Sequence, residues 1–370
     1  MTDFPAFAPP DAAWRHDFHQ KLLAWFAANR RPLPWRKDYE PYHVWISEVM
    51  LQQTQMGRAV EYFRRWIARF PDVAVVAAAE RDELLKYWEG LGYYSRLDNL
   101  RRAAAAIMER HGGLLPERLE ELRQLPGIGG YTAAAIASIA FGRDAAVADA
   151  NVSRLFARLF DLDQPLHDGA GRRLVEGIAA ELLPTGQARD YNQALMELGA
   201  LVCLPKKPRC QECPLAELCL AWRRNTVAKR PAPRPATAKI DLPMAAVALV
   251  VCGRVLIRQR PAKGMWAGLW EFPGLILQAG DEAVAALRRE LPFLAGSATP
   301  WTKLARIEHH HTKYRVLLDG YFCRLPPDAA ILPDAPPYHW ARLDELAAYA
   351  FSAGHRRLAG LITNIIPQAC

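Results

Sequence analysis

Four cysteines, Cys203, Cys210, Cys213 and Cys219, fall within 17 residues, separated by six, two and five residues. Thiolates packed this closely in a reducing compartment are expected to hold a metal centre, because sulfur ligands suit zinc and iron–sulfur clusters. Zinc ribbons present two close pairs of ligands, and only Cys210 and Cys213 form such a pair here. The competing reading is four unrelated buried thiols. The other three cysteines, Cys252, Cys323 and Cys370, are scattered, and the total of seven is odd, so a disulfide framework fits poorly. Cys252 and Cys323 lie in strand-like runs and Cys370 ends the chain, so these three read as structural.

The basic charge gathers in the same place. From Cys203 to Lys239 nine Lys and Arg stand against Glu212 and Glu217, which accounts for +7 of a whole-chain net charge of +8. The excess therefore reads as a strip facing phosphate, with Lys206, Lys207 and Arg209 inside the first cysteine interval. At 370 residues the chain exceeds one ordinary core, which predicts two domains. Its charged fraction of 23% is that of globular protein, so disordered, collagen-like and coiled-coil readings fit poorly. No apolar run approaches 18 residues, and Met1 to Asp11 lacks a basic segment followed by an apolar one. Neither a membrane span nor a secretory signal is expected, and an intracellular location is.

From about Ala13 to Gln193 the apolar spacing is helical, punctuated by Pro71, Gly112-Gly113, Pro126-Gly127 and Pro184, so this half reads as all-α. Residues 226–242 are rich in Pro, Lys and Arg and read as a linker. Beyond it come β-like runs, Met244 to Val251, Arg254 to Arg258 and Lys313 to Tyr321, interrupted by one helix over Asp281 to Glu290. The chain thus predicts domains at 1–225 and 243–368, the second a smaller α+β fold.

Three sites carry chemistry. Leu125-Pro126-Gly127-Ile128-Gly129-Gly130-Tyr131-Thr132 precedes an apolar helix, Ala133 to Phe141. Gly127 and Gly129 let such a turn take positive φ and offer N–H groups to an anion, which the helix N-terminus also attracts; the alternative is an ordinary αα turn. Glu48 is flanked by Val44, Trp45 and Leu51 at helical spacing, so it either projects from an apolar face with a raised pKa, fit for a general acid, or reaches solvent past the helix edge. Asp149 precedes the helix Val152 to Phe160. It reads as an N-cap, held ionised, which is also what stabilising a cationic transition state needs.

Together with Leu33-Pro34-Trp35-Arg36, Trp45 to Gln55, Gly90 to Arg96, Ala148 to Val152, Tyr191 to Ala200 and the cysteine loop, these residues resemble the MutY-type adenine DNA glycosylases of the endonuclease III superfamily. The resemblance covers almost the whole chain. It implies a helix–hairpin–helix glycosylase domain with one [4Fe–4S] cluster held by the four loop cysteines. The implied activity is hydrolytic removal of adenine flipped from double-stranded DNA where it lies opposite 8-oxoguanine or guanine. Glu48 matches the acid and Asp149 the carboxylate that stabilises the sugar cation, with Tyr131 and Asn151 in support. Trp35, Arg36 and Gln193 match the adenine pocket, and Gln53, Thr54, Leu91 and Tyr93 match residues that enter the duplex, although Leu91 and Tyr93 read equally as packing. Related enzymes with lyase activity carry a lysine where this chain has Tyr131, so strand cleavage through a Schiff base is not expected. Ala150 replaces the family's glycine, which would strain a backbone of positive φ.

The second domain resembles the MutT-like, Nudix-fold domain of the same family, carried by Gly264 to Gly274. Arg289-Glu290-Leu291 leads directly to Pro292 with no paired glutamates, so recognition of 8-oxoguanine is implied and nucleotide hydrolysis is not. The family's recognition loop aligns with His309-His310-His311, which by composition is also a solvated strand end; His310 or His311 is expected to contact the damaged guanine. A monomer is expected, intracellular and nucleoid-associated during repair. The rivals are a pyrimidine-lesion glycosylase with lyase activity, disfavoured by Tyr131, and a catalytically idle mismatch-binding protein, disfavoured by the presence of both Glu48 and Asp149.

Overall fold

The computed structural model describes residues 10–233, 238–291, 299–326 and 334–365. Arg234 and Pro235 of the expected linker, Pro292 and Cys370 lie outside the described residues. The chain divides into two compact units, Met1–Ala78 with Asp98–Pro235, and Ala79–Leu97 with Ala236–Cys370.

The helices, in chain order, are α1 (Ala12–Asn29), α2 (Pro41–Leu51), α3 (Met56–Arg69), α4 (Val73–Ala78), α5 (Arg81–Trp88) and α6 (Tyr94–His111). They continue with α7 (Leu119–Arg123), α8 (Gly130–Ala135), α9 (Ala150–Leu159), α10 (Gly169–Glu181), α11 (Ala188–Leu201) and α12 (Leu220–Arg223). In the first unit Phe18, Leu22 and Phe26 of α1 share one core with Leu155 and Phe156 of α9 and Leu195 and Leu198 of α11. That core runs on into Cys203 and Leu215, so the cysteine loop is seated on the helical unit by apolar burial.

The helix expected from Ala133 to Phe141 is continuous in direction but not in kind. After α8 it widens into a π-helical turn, Ile136–Ala140. Ser138 donates to the Ala134 carbonyl oxygen at 2.7 Å, and Asn192 Nδ2 donates to the Ser138 hydroxyl at 2.9 Å. A polar side chain competing with the helical ladder at a buried position explains the wider turn.

In the second unit a seven-stranded sheet has the order β3-β2-β1-β6-β5, with β4 pairing β1 and β7 pairing β2. The strands are β1 (Ile240–Val251), β2 (Arg254–Gln259), β3 (Trp270–Glu271), β4 (Gly274–Ile276), β5 (Thr302–His311), β6 (Tyr314–Arg324) and β7 (Tyr338–Arg342). β1 and β6 are parallel, from Ile240 opposite Tyr314 to Val250 opposite Arg324, whereas β5 and β6 form an antiparallel hairpin. The apolar run at the end of β1 is buried throughout because both its faces are covered. Ala245, Val247 and Leu249 meet Leu287 of α13 (Ala283–Glu290). On the β6 strand, Gly320 lies so close to Leu358 of α14 (Ala353–Ile365) that an added Cβ would sit 2.6 Å from it.

Residues 79–97 join this unit through specific bonds. Glu89 accepts from Arg356 Nε at 2.6 Å and from the Phe351 backbone N–H at 3.3 Å, and Asp82 accepts from Gln259 Nε2 at 3.1 Å. No helix among the described residues is long and apolar enough to cross a membrane.

Candidate active site

Helix α2 opens with Glu40 accepting from the His43 backbone N–H and with Pro41 in the first turn, where its missing N–H is not needed. The helix is buried on nearly every side, and Glu48 is 5% exposed. Desolvation raises the Glu48 pKa to about 7, helped by the nearby Asp149 carboxylate and opposed by a hydrogen bond from Tyr131 and the charge of Arg36. The Tyr131 hydroxyl donates to Glu48 Oε2 at 2.9 Å and lies 3.6 Å from Met196 Sδ. Burial and the adjacent Glu48 push the phenol well above its ordinary pKa, so it is held as a donor.

Tyr131 is delivered by the glycine turn. Gly127 has φ +75°, and an added Cβ would lie 2.5 Å from Asn99, so glycine is required there twice over. Gly129 does not share that need: at φ −81° it is an ordinary extended N-cap of α8.

Asp149 caps α9 as expected, accepting from the Val152 N–H at 2.7 Å and from Asn151 Nδ2 at 2.8 Å. The expected lowering of its pKa is not what the geometry gives. Burial raises it, and the bonds from Val152 and Asn151 only offset that rise. Ala150 is the first residue of α9, in helical backbone, so the alanine is unstrained.

Asn151 is itself held from behind. Arg154 Nη2 donates to Asn151 Oδ1 and to the Gly199 carbonyl, each at 2.8 Å, and Arg154 Nε donates to the Cys203 carbonyl at 2.7 Å. Gly199 permits this approach, since a Cβ there would meet Asn151 Cβ at 2.7 Å.

A cavity of about 1360 Å³ is lined by Glu48, Tyr131, Asp149, Asn151, Trp35, Arg36, Gln193, Gln53 and Thr54. Trp35 is fixed edge-on against Phe63 at 5.1 Å. Gln53 takes φ +58°, an uncommon backbone for a side-chain-bearing residue, beside the site. Pro231, Ala232 and Pro233, the last described residues of the first unit, also line the cavity. They are anchored one residue earlier, where Arg230 pairs with Asp161 at 2.8 Å and its carbonyl accepts from Arg158 Nε. Residues that sequence reasoning passed over, Arg31, Met196 and Glu197, line it too. Glu197 lies one helical turn beyond Gln193, and that spacing was the available signal.

Leu91, Tyr93, His310 and His311 belong to the second unit. Leu91 is buried, whereas Tyr93 is 38% exposed with φ +49° and has the Arg96 guanidinium 5.2 Å from its ring. The three histidines lie within β5, His310 exposed. On the other face Trp266 approaches both His309 and His311, and its indole N–H donates to His311 Nδ1 at 3.2 Å.

The four loop cysteines are unpaired thiols that line one small apolar cavity of about 30 Å³ with Leu155, Leu159, Val202 and Leu215. Burial raises Cys213 to about 12 and pushes up Cys210 and Cys219, a cost that bound metal relieves by taking thiolate. Among the described residues no three metal-ligating side chains gather around a single ion. A sulfur-only donor set spread around one cavity suits a polynuclear iron–sulfur centre. Arg158 Nη1 donates to Cys203 Sγ at 3.3 Å and to the Leu204 carbonyl at 2.7 Å, which fixes the first cysteine of the loop.

Residues 46–179 match the family model of HhH-GPD superfamily base excision DNA repair proteins, 203–219 that of the iron-sulfur binding domain of endonuclease III, and 245–360 that of the NUDIX domain. The solved structure of a thermostable thymine-DNA glycosylase superposes at TM-score 0.52 with 29% identity, covering 58% of this chain and all of that one. Fold and cavity together define a base-excision DNA glycosylase with a Nudix-like domain appended. Adenine DNA glycosylase of Homo sapiens is 32% identical over 415 aligned residues, 95% of this chain and 75% of the human protein. The Mus musculus adenine DNA glycosylase is 33% identical over 92% of this chain and 77% of its own length. The chain belongs to the adenine DNA glycosylase family, hydrolases of N-glycosidic bonds.

Proposed function

We propose that the chain removes adenine lying opposite 8-oxoguanine, or opposite guanine, in double-stranded DNA, with the adenine flipped into the cavity between α2 and α9. The observation that carries this reading is the Tyr131–Glu48 hydrogen bond beside the N-capping carboxylate of Asp149. Glu48, protonated near neutral pH, gives its proton to a ring nitrogen of adenine. The C1′–N9 bond then breaks with its electron pair leaving on the base. Asp149 stabilises the positive charge developing on the sugar, and water completes the hydrolysis. Tyr131 offers a phenol and no amine, so no Schiff base forms and the strand is left intact.

Glu48, Tyr131, Asp149 and Asn151 are the catalytic group in this reading, and Trp35, Arg36 and Gln193 hold the base. Gln53, Thr54, Leu91 and Tyr93 enter the duplex around the lesion, and the turn at Gly127 and Gly129 grips phosphate. His310 and His311 contact the 8-oxoguanine; alanine at both should lower discrimination against ordinary guanine. The cysteines hold one [4Fe–4S] cluster, which shapes the basic loop against DNA. The protein acts as an intracellular monomer.

Single-turnover base release from duplexes carrying adenine opposite 8-oxoguanine, adenine opposite guanine, or thymine glycol tests the reading. Release confined to the adenine substrates, with strand breakage only after alkali, supports it. Release of thymine glycol with direct strand breakage sinks it.

A further inference from the structure

In the wall of the base pocket lies a buried charged layer centred on Glu197, which is 1% exposed. Burial alone raises a carboxyl pKa, but hydrogen bonds from Arg31 and Arg36 hold this one down at about 2. Arg31 gives its backbone N–H and Nε to Oε1 at 3.0 and 2.7 Å, and Nη2 to Oε2 at 2.8 Å. Arg36 adds Nη1 to Oε1 at 3.2 Å and Nη2 to Oε2 at 3.1 Å, and Nη1 also reaches the Arg31 carbonyl at 3.1 Å.

With both ends of its fork engaged there, Arg36 turns its Nε–H onto Gln193 Oε1 at 2.8 Å. A guanidinium only donates, so the atom facing it must be the amide oxygen. The amide NH2 is committed on the other side, to the Arg189 carbonyl at 3.1 Å and the Tyr39 hydroxyl at 3.4 Å. Flipping the amide would set NH2 against guanidinium and oxygen against carbonyl. The unspent capacity of Gln193 in the cavity wall is therefore a lone pair on Oε1.

An acceptor in that wall suits a purine with an exocyclic amine and repels one with a carbonyl at the same position. We propose that Glu197 is a specificity-determining positioning residue: through Arg36 it locks the Gln193 amide as an acceptor and so selects a 6-aminopurine over a 6-oxopurine. This rests on the adenine-removing reading and names the group that makes its choice of base.

The test uses the full chain and single-turnover release of adenine and of hypoxanthine, each placed opposite 8-oxoguanine. Glu197→Gln should lower the adenine-to-hypoxanthine rate ratio about tenfold, the worth of one hydrogen bond. Arg36→Lys keeps a positive partner for Glu197 but loses the Nε–H fork, so it should lower the ratio similarly and decides the matter where Glu197→Gln fails to fold. Both rates falling together with the ratio unchanged, in whichever of these variants is folded, overturns the proposal and leaves adenine removal standing. No adenine release by the unaltered chain overturns both.

Discussion

The Tyr131 hydroxyl donates to Glu48 Oε2 at 2.9 Å, in a pocket whose burial keeps the phenol protonated and lifts the carboxyl to a pKa of about 7. The bond favours the ionised carboxylate and so restrains that lift. Tyr131→Phe removes the restraint: in a pH profile of single-turnover release, the limb where activity falls with rising pH should move upward from about 7, while the maximal rate drops roughly tenfold.

Glu48→Gln should abolish base release while leaving duplex binding intact, and it should also stabilise the fold. A carboxyl whose folded pKa lies above its unfolded one favours folding only at low pH, and that contribution is lost as pH rises from about 4.5 through about 7. Thermal unfolding should therefore show the variant gaining on the order of 3 kcal/mol at pH 8 and almost nothing at pH 4.

At Asp149→Asn the cap survives, because asparagine also accepts from the Val152 N–H. Its amide nitrogen then opposes Asn151 Nδ2, two donors facing each other, so a loss of about 1 kcal/mol in melting is expected. Base release should fall far more, by at least a hundredfold, since the charge proposed to stabilise the sugar cation is gone. Equal losses in stability and rate would contradict the electrostatic role.

Arg158→Lys keeps a positive charge beside Cys203 but cannot span its four acceptors on Cys203, Leu204, Pro205 and Arg230. The visible absorbance of the proposed iron–sulfur cluster should bleach several-fold faster in air than in the unaltered protein.

Ala150→Gly places the glycine that the resemblance implies at a position that is helical here. Melting should show a loss of about 0.5–1 kcal/mol, with base release unchanged.

Much of the candidate site was legible in the sequence because local spacing encodes where its residues fall. The cysteine intervals, the apolar flanks of Glu48 and the capping position of Asp149 each carry a rule that needs no tertiary contact. What spacing cannot carry is the balance between burial and hydrogen bonding, so the direction of the Asp149 pKa was misjudged. The π turn at Ile136–Ala140 depends on Asn192 arriving from α11, and residues 79–97 cluster with the second unit through Arg356 and Gln259, partners far away in sequence. Glu197 escaped notice for the same reason: its meaning comes from Arg31 and Arg36, more than 160 residues earlier.

The pinning of Arg230 by Asp161 and Arg158 has a bearing on protein engineering. Because Pro231 to Pro233 form cavity wall, this proline-rich stretch is part of the first unit's architecture and not a mere spacer. Graft junctions, tags or protease sites placed within Arg230 to Pro233 would reshape the cavity that holds Glu48 and Asp149.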